Sequence, residues 1–345
     1  MSQEEILRKE RKPSMQPMEI SSLALRFWNI EAVSLRALDS YDDCNYYLKD
    51  KIQQEFILKV YNGAERPSTI EGFAHLFKWL ETHNSSYAFP TIVPSINNQS
   101  IEYIPSECGD YMFGVRMFRW IPGKTLKDLD SSSTLTHFHQ VGEMLGNLTI
   151  AVQGFIHESF HRIHAWDLKQ FDTVLSFVSF VSEEDLQTII RQVHQAFHQQ
   201  ILPSSSSMRW ACIHGDCNDA NIIINGHSQI TGLIDFGDAV YTWTVNDVAT
   251  AMCYALLTTY GRAHPYEVLT AISQSYHAIY PLLDIEIRNL RILIAMRLSL
   301  STSIGAYSMS QNPDDPYLGL HAIPAKQALR FIWNLPHDFF IELLK

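Results

Sequence analysis

Two stretches decide the fold, HGDCNDAN at residues 214–221 and DFG at residues 235–237. Asp216 stands five residues ahead of Asn221, so one loop can offer a carboxylate to a substrate hydroxyl and an amide oxygen to a metal ion. Asp235, at the end of an apolar run, would complete a Mg²⁺ site. Aspartate and asparagine also close turns by bonding the nearby backbone, which would explain either stretch alone. Their combined order and spacing predict phosphoryl transfer from a nucleotide.

The composition bounds the class of protein and its partners. The chain has 345 residues, 46% hydrophobic and 18% charged, which allows a sizeable core in one large domain or two lobes. Its 26 Lys and Arg against 37 Asp and Glu give a net charge of −11, which disfavours nucleic acid and membrane surfaces and suits a cationic substrate. The five cysteines are scattered, without a C-x-x-C motif. Because no signal-like segment opens the sequence, we expect a cytoplasmic protein.

Periodicity divides the chain into a polar leader and two lobes. Residues 1–20 lack a sustained pattern and are predicted to be a polar leader or a short extra helix. In residues 21–118, strand-like runs from Val33 to Asn62 precede a helix over residues 67–80, and two more strand candidates follow. Residues 119–345 are mainly helical and contain two short strand segments, ACIHGD and ITGLIDFGD. The predicted class is α+β, with a small antiparallel sheet lobe and a larger helical lobe.

A lysine inside a predicted strand adds a second indication. Lys59 lies in the apolar run FILKVY, where a charge is costly unless it has a partner. Protein kinases place such a lysine against nucleotide phosphates and pair it with a glutamate on the next helix. Glu71, one turn into the following helix, is the predicted partner. Alone, Lys59 would be explained as a solvent-facing residue of a two-sided sheet.

Together these motifs resemble the aminoglycoside phosphotransferase and choline kinase-like family, distant relatives of protein kinases. Within it, they are most similar to the hydroxylysine kinases, through SYDD at 40–43, VRM at 115–117, WIPG at 120–123 and WDL at 166–168. The resemblance implies a bilobal protein-kinase-like fold whose first lobe binds nucleotide and whose second carries catalysis and substrate binding. It also implies transfer of the γ-phosphoryl of ATP or GTP, with Mg²⁺, to a hydroxyl of an amine-bearing small molecule.

The resemblance further implies the acceptor and the catalytic roles. The best candidate acceptor is 5-hydroxylysine, and homoserine, choline and aminoglycosides remain open. Asp216 would accept the proton of the acceptor hydroxyl, while Asn221 and Asp235 would hold Mg²⁺. His214 would organise the loop, since the proton transfer falls to Asp216.

Other residues are assigned to the nucleotide in the same way. Lys59, paired with Glu71, would bind the phosphates. Ser40 would contact phosphate from a turn that lacks the glycines found in protein kinases. The backbone around Met117 and Phe118 would meet the purine.

Carboxylates are also expected for an amine-bearing acceptor. Asp219, Asp238 and Asp247 are the nearest candidates in sequence, although Asp247 opens a predicted helix and is equally explained as its cap. An amino acid acceptor would also need a cation for its carboxylate. Arg297 is the candidate for that contact.

Two other classes of function compete with a kinase. HESFH at residues 157–161 matches the helical H-E-x-x-H zinc signature, so His157 and His161, with His164 as a third ligand, would make a zinc metallohydrolase. The extended zincin spacing is absent, however. A binding module that kept the fold without catalysis is the other alternative, and the presence of every catalytic residue type gives it no support. GKT at 123–125 is not a P-loop, because Phe118 stands where glycine is required.

Overall fold

β-branched and aromatic residues alternate with polar ones in the first third of the chain, and there the backbone forms a sheet. The computed structural model describes residues 3–40, 42–83, 86–129, 135–311 and 322–345, with side chains from residue 7 onward. The chain divides into two compact units, residues 1–82 with 88–122 and residues 83–87 with 123–345.

The first unit contains a six-stranded antiparallel sheet in the order β1-β2-β3-β6-β4, with β5 also paired to β6. Its strands are β1 (Ala32–Leu38), β2 (Cys44–Asp50), β3 (Glu55–Val60), β4 (Ile92–Val93), β5 (Glu102–Pro105) and β6 (Met112–Arg119). Helix α3 (Pro67–His83) follows β3 as the spacing predicts, and its apolar stripe, Ile70, Phe73, Phe77 and Leu80, is buried.

Residues 3–20, predicted to be a polar leader, are mostly helical and belong to the first unit. Helix α1 (Gln3–Glu10) carries Arg8, whose guanidinium forms ion pairs with Asp42 at 3.0 Å and Glu65 at 2.8 Å. Helix α2 (Pro17–Trp28) has proline in its first turn, and its Ile20 is fully buried. The pattern left a leader and a short extra helix open, because a helix of eight residues depends on contacts with distant parts of the chain that the pattern does not contain.

The boundary between the units lies after Pro122, at the proline and glycine of residues 121–123 that punctuate the sequence and four residues beyond the predicted lobe end at Phe118. Strand β6 continues to Arg119, and the backbone N–H of Trp120 still donates to the carbonyl of Glu55 at 3.0 Å. The chain therefore leaves the first sheet only past Trp120. At Gly123 a Cβ atom would collide with the carbonyl oxygen of Ile224, so glycine is needed where the second unit begins.

The second unit pairs its short strands differently from the prediction. Strand β8 (Trp210–Ile213) pairs with β11 (Val240–Trp243), while β9 (Ile222–Ile224) lies between β7 (Lys124–Thr125) and β10 (Ile230–Leu233). The ACIHGD and ITGLIDFGD segments thus belong to two small sheets. Each of these sheets ends in one of the two motifs that decide the fold.

Helices make up most of the second unit, namely α4 (Leu135–Ala151), α5 (Glu184–Ala196), α6 (Leu202–Ser204), α7 (Val245–Thr258), α8 (Pro265–Ile279), α9 (Asp284–Gln311), α10 (Ala322–Asn334) and α11 (Phe339–Leu344). By length and composition alone α9 could cross a membrane, but 61% of its most apolar stretch is buried within the protein. It also carries two buried arginines, Arg291 and Arg297. These features are typical of a core helix.

Candidate active site

The loop at residues 214–221 follows β8, and one buried carboxylate fixes its start. Asp247, in the first turn of α7, accepts the backbone N–H of His214 at 2.9 Å and that of Gly215 at 2.8 Å. Gly215 has a φ of 83°, and a Cβ there would lie 2.7 Å from the carbonyl oxygen of Asp238. Because two backbone amides occupy the oxygens of Asp247, its contact in this structure is with the loop, and the predicted contact with substrate has no support from its geometry.

His214 joins this loop to the strand that leads to Asp235. Its Nδ1 accepts the backbone N–H of Asp216 at 3.1 Å, and its Nε2 lies 2.9 Å from the carbonyl oxygen of Ile234. A ring that accepts at Nδ1 and donates at Nε2 is neutral. These bonds fit the loop-organising role predicted for His214.

Side-chain amides and one guanidinium surround the carboxylate of Asp216. Its Oδ2 accepts from Nδ2 of Asn218 at 2.8 Å and Nδ2 of Asn221 at 3.2 Å, and its Oδ1 lies 3.3 Å from Nη2 of Arg297. Burial and the nearby charge of Asp238 raise the pKa of Asp216 to about 6, although Arg297 opposes the rise. A carboxyl that titrates close to neutral pH is suited to take up a proton.

Asn221 is oriented by the same carboxylate. Its buried Nδ2 also donates to the carbonyl oxygen of Asp216 at 2.9 Å, so the amide plane directs Oδ1 away from Asp216. The carbonyl oxygen of Asn221 accepts the backbone N–H of Ile234 at 2.9 Å, which brings the next residue, Asp235, alongside.

Asp235 has a backbone conformation that is unusual for a residue with a side chain. Its φ is 59°, in the left-handed region, and its exposed carboxylate accepts the N–H of Gly237 at 3.3 Å. Strained backbone of this kind is concentrated at functional sites. The oxygens of Asp235 and Asn221 are hard donors of the kind that Mg²⁺ and Ca²⁺ prefer, so these residues fit a divalent cation.

One histidine and two arginines surround Asp238, three residues further on. Nε2 of His164 lies 3.3 Å from its Oδ1, and the guanidinium of Arg162 donates to the carbonyl oxygens of Gly237 and Ala239. Burial alone would raise the pKa of Asp238, but the hydrogen bond from His164 and the charges of Arg297 and Arg162 lower it to about 2. Asp238 is therefore an anion at neutral pH.

Arg297 has a larger part in the site than the sequence indicates. It is 1% exposed, its Nη2 donates to the hydroxyl of Tyr254 at 3.0 Å, and its Nη1 donates to the carbonyl oxygen of Trp166 at 3.2 Å. Its guanidinium also lies over the Trp166 ring, 4.6 Å from the centroid. The useful signal was an arginine inside the apolar run LIAMRLSL, the same argument that selected Lys59.

A small cavity borders the loop near Asp238 and Gly215. Its other lining residues include His164, Asp167 and Asn246. Within the described part of the chain, Nδ1 of His164, Oδ2 of Asp167 and Oδ1 of Asn246 have no hydrogen-bond partner. The nearest cation to Oδ2 of Asp167 is Nζ of Lys169, at 3.5 Å. The cavity thus presents unpaired acceptor atoms, which favour a hydrogen-bond donor.

In the first unit, Lys59 has a partner different from the predicted one. Its Nζ lies 2.7 Å from Oδ2 of Asp43, whereas Glu71 is exposed on α3 and forms no ion pair with it. Asp43 immediately precedes Cys44, which pairs with Val60 in the register of β2 and β3. The strand register therefore places Asp43 beside Lys59, and the ion pair of Lys59 is with Asp43 where the sequence predicted Glu71.

The turn between β1 and β2 balances its acidic residues with cations. Oγ of Ser40 accepts the backbone N–H of Asp43 at 3.2 Å, a turn-closing contact, and Asp42 pairs with Arg8. Tyr41 lies outside the described residues. Contact of Ser40 with a phosphate remains a prediction.

A model of the phosphotransferase enzyme family matches residues 34–284, which include Lys59 and both motifs. The chain belongs to this family. It is therefore a phosphotransferase that transfers a phosphoryl group to an alcohol hydroxyl.

The relatives of this phosphotransferase agree with the resemblance seen in the motifs. It is 24% identical to hydroxylysine kinase of Danio rerio, covering 96% of this chain and 95% of that protein. It is 26% identical to hydroxylysine kinase of Mus musculus, covering 88% and 85%. A solved structure of amicoumacin kinase in complex with AMP-PNP, Ca²⁺ and Ami superposes with a TM-score of 0.73 at 16% identity, covering 98% of this chain and 99% of that one. The predicted kinase-like α+β fold is confirmed.

Two predicted nucleotide contacts of the phosphotransferase lie inside its sheet. Met117 and Phe118 are buried residues of β6, with β3 on one side and β4 on the other. Because both edges of the strand have neighbours there, the geometry does not favour a purine against this backbone. The remaining prediction, Asp219, lies on the catalytic loop with a half-buried side chain, and its carbonyl accepts the N–H of Lys127 at 3.0 Å.

The zinc alternative lacks the helix that its signature requires. Glu158–Phe160 is a single 3₁₀ turn, Nδ1 of His157 lies 2.8 Å from the hydroxyl of Ser159, and the ring of His161 lies against Tyr241. Without an α-helix, the two histidines do not lie on one face one turn apart. The zinc metallohydrolase prediction is therefore wrong, and the family assignment agrees with this conclusion.

Proposed function

We propose that this phosphotransferase uses the Mg²⁺ complex of ATP or GTP to phosphorylate a hydroxyl group of an amine-bearing small molecule, with 5-hydroxylysine as the best candidate. The observation that carries the proposal is the partly buried carboxylate of Asp216, held by Asn218 and Asn221 with a pKa raised to about 6. This group has the position and the basicity to orient an acceptor hydroxyl and take its proton.

The same loop supports the proposed metal. Mg²⁺, when bound, would supply positive charge that offsets the negative charge of the phosphates during transfer. Oδ1 of Asn221 and the carboxylate of Asp235 would hold it, since both are hard oxygen donors on segments joined by the Asn221 to Ile234 backbone bond. The solved structure of amicoumacin kinase, a complex with AMP-PNP and Ca²⁺, is consistent with this choice.

In the first unit, Lys59 would bind nucleotide phosphate. Its side chain is 14% exposed, and its ion pair with Asp43 orients the ammonium. Exchange of a carboxylate for a phosphate at this ammonium is electrostatically conservative, because both ligands are oxyanions.

The amine of the acceptor would be recognised by acidic and acceptor groups near the loop. Asp238 is an anion at neutral pH, with a pKa of about 2, and residues that line the cavity beside it carry further acceptor atoms, Nδ1 of His164 and Oδ1 of Asn246, without hydrogen-bond partners among the described residues. These acceptors suit the N–H donors of an ammonium group. Similarity to hydroxylysine kinases over most of the chain supports 5-hydroxylysine ahead of homoserine, choline and aminoglycosides.

The test is nucleotide consumption by the metal-stripped protein after addition of Mg²⁺ and either ATP or GTP. We expect consumption that depends on 5-hydroxylysine and does not occur with lysine, which differs only by lacking the hydroxyl. Homoserine, choline and an aminoglycoside complete the panel. Faster turnover with one of these would keep the kinase class and replace the acceptor, whereas no turnover with any acceptor would overturn the proposal.

A further inference from the structure

A second pair of histidines with the same four-residue spacing lies on α5 and its continuation, ahead of the loop at residues 214–221. His194 is in the last turn of α5, and His198 is in the π-helical turn that continues it, Phe197–Ile201. Asp172, from the 3₁₀ segment Leu168–Ser176, faces both rings. Unlike His157 and His161, these two histidines do lie on one helical face.

The three side chains converge on one point. Nε2 of His194 lies 2.8 Å from Oδ1 of Asp172, and Nε2 of His198 lies 2.7 Å from the same oxygen. The ring centroids of the two histidines are 4.7 Å apart. One ligand atom from each residue lies within 4.8 Å of those of the other two. Two imidazole nitrogens and a carboxylate oxygen therefore share a single small volume.

We propose that Asp172, His194 and His198 form a binding site for a divalent transition metal, with Zn²⁺ as the ion to test. Tetrahedral Zn²⁺ holds nitrogen and oxygen ligands at ~2.0–2.2 Å, which puts the ligand atoms ~3.4 Å from one another. The observed separations require the side chains to move apart by less than ~1 Å to admit the ion. Water would complete the coordination.

The ligand set and its exposure decide the class of ion. Imidazole nitrogen suits Zn²⁺, Cu²⁺ or Ni²⁺, whereas Mg²⁺ and Ca²⁺ take oxygen ligands. The side chains of Asp172 and His198 are 64% and 46% exposed, so the ion can enter from solvent and the ligands can adjust. This site is chemically distinct from the oxygen site at Asn221 and Asp235.

A metal here would act on the segment that adjoins the catalytic loop. The 3₁₀ segment that contains Asp172 is capped by Asp167, which follows Trp166, the residue whose carbonyl accepts from Arg297. Bound Zn²⁺ would cross-link this segment to α5. The inference is thus a stabilising metal site, and it does not depend on the identity of the acceptor.

The experiment is calorimetric titration of the full, EDTA-treated protein with Zn²⁺ in excess Mg²⁺, together with its melting temperature. We expect one equivalent of Zn²⁺ to bind and to raise the melting temperature. His194→Ala and His198→Ala should each weaken binding by ~10- to 100-fold. His157→Ala/His161→Ala is the matched control, since it removes a histidine pair of equal spacing and should bind like the wild type.

Three results would overturn the proposal. They are the absence of stoichiometric Zn²⁺ binding in the wild type, full binding in His194→Ala/His198→Ala, and loss of binding only in the control variant. Melting curves of each variant without metal show that it is folded. His198→Ala is the safest variant in this respect, because that side chain is largely in solvent.

Discussion

In the loop at residues 214–221 and the segment at residues 235–238, neighbouring aspartates meet opposite surroundings. Asp216 is bonded by two neutral amides and one guanidinium, and its pKa is raised to about 6. Asp238 is flanked by His164, Arg162 and Arg297, and its pKa is lowered to about 2. Both are partly buried to a similar extent, with side chains 22% and 29% exposed, so the difference in pKa comes from the charges each one meets.

This difference separates the roles of two chemically identical side chains. Where two titratable groups are pushed apart in pKa, the one near neutrality is suited to proton transfer and the other stays charged. Asp216 is accordingly the proton acceptor of the proposed reaction. Asp238 remains an anion that a substrate cation can meet.

The largest expected effect follows from replacing the proton acceptor. Asp216→Asn keeps the size of the side chain but removes its basicity and one of its two acceptor oxygens, so kcat should fall by ~10²- to 10⁴-fold. Nucleotide affinity, measured by calorimetry, should stay within about twofold of the wild type. Asp185→Asn, an exposed change in the same unit, serves as control, and a wild-type kcat for Asp216→Asn would remove Asp216 from the mechanism.

Asp235 should show a loss that depends on the metal. Asp235→Ala is expected to weaken nucleotide binding by at least ~10-fold in Mg²⁺ and to leave binding in EDTA unchanged, because only the metal-dependent contact is lost. Asp235→Asn is the matched variant, since asparagine tolerates the positive φ of 59° and keeps one oxygen donor. Equal losses with and without Mg²⁺ would point to a folding defect instead of a metal ligand.

The sequence predicted the parts of the site whose contacts are local. Asp216 and Asn221 bond each other within one loop, so their spacing already contains the geometry. The apolar stripe of α3 and the three strands around Lys59 could also be predicted, because side-chain periodicity follows directly from helix and strand geometry. These local rules were enough to establish the fold class.

The missed contacts join residues that are distant in sequence. Arg297 reaches Asp216 from a helix 81 positions further on, and Asp247 reaches His214 from 33 positions away. Lys59 pairs with Asp43 because of the register of β2 and β3, although Glu71 on the following helix was the predicted partner. A single sequence names the charges that need partners, but tertiary packing chooses those partners.

Asp238 should affect substrate binding more than turnover. Asp238→Asn is expected to raise KM for an amine-bearing acceptor by ~30-fold, the cost of removing one partner of a desolvated charge pair, with a smaller change in kcat. The same variant should lower the pKa of Asp216, because a neighbouring negative charge is gone. Carboxyl carbon NMR of the nucleotide-free protein measures that pKa directly. An unchanged KM and an unchanged pKa of Asp216 would refute the contrast between the two aspartates.

The smallest expected effect is on stability, and its sign differs between the two aspartates. The pKa of Asp216 is about 6 in the folded protein and ~3.9 in the unfolded chain, so its contribution to the free energy of unfolding falls as the pH rises from ~3.9 through 6. Asp216→Asn should therefore raise the free energy of unfolding by ~1–2 kcal/mol at pH 7.5. Asp238, with a folded pKa of about 2, contributes stability above pH ~3.9 that is lost as pH falls toward 2. Asp238→Asn should therefore lower the free energy of unfolding by a similar amount at pH 7.5.

Urea unfolding of both variants and the wild type at pH 7.5 and pH 4.5 measures the two effects. At pH 4.5 the carboxyl of Asp216 is already protonated in the folded wild type, so the gain from Asp216→Asn should nearly vanish there. The loss from Asp238→Asn should persist at pH 4.5, because Asp238 is still ionised in the folded state. Effects of equal sign in the two variants would show that burial alone, and not the charges around each carboxylate, sets their ionisation.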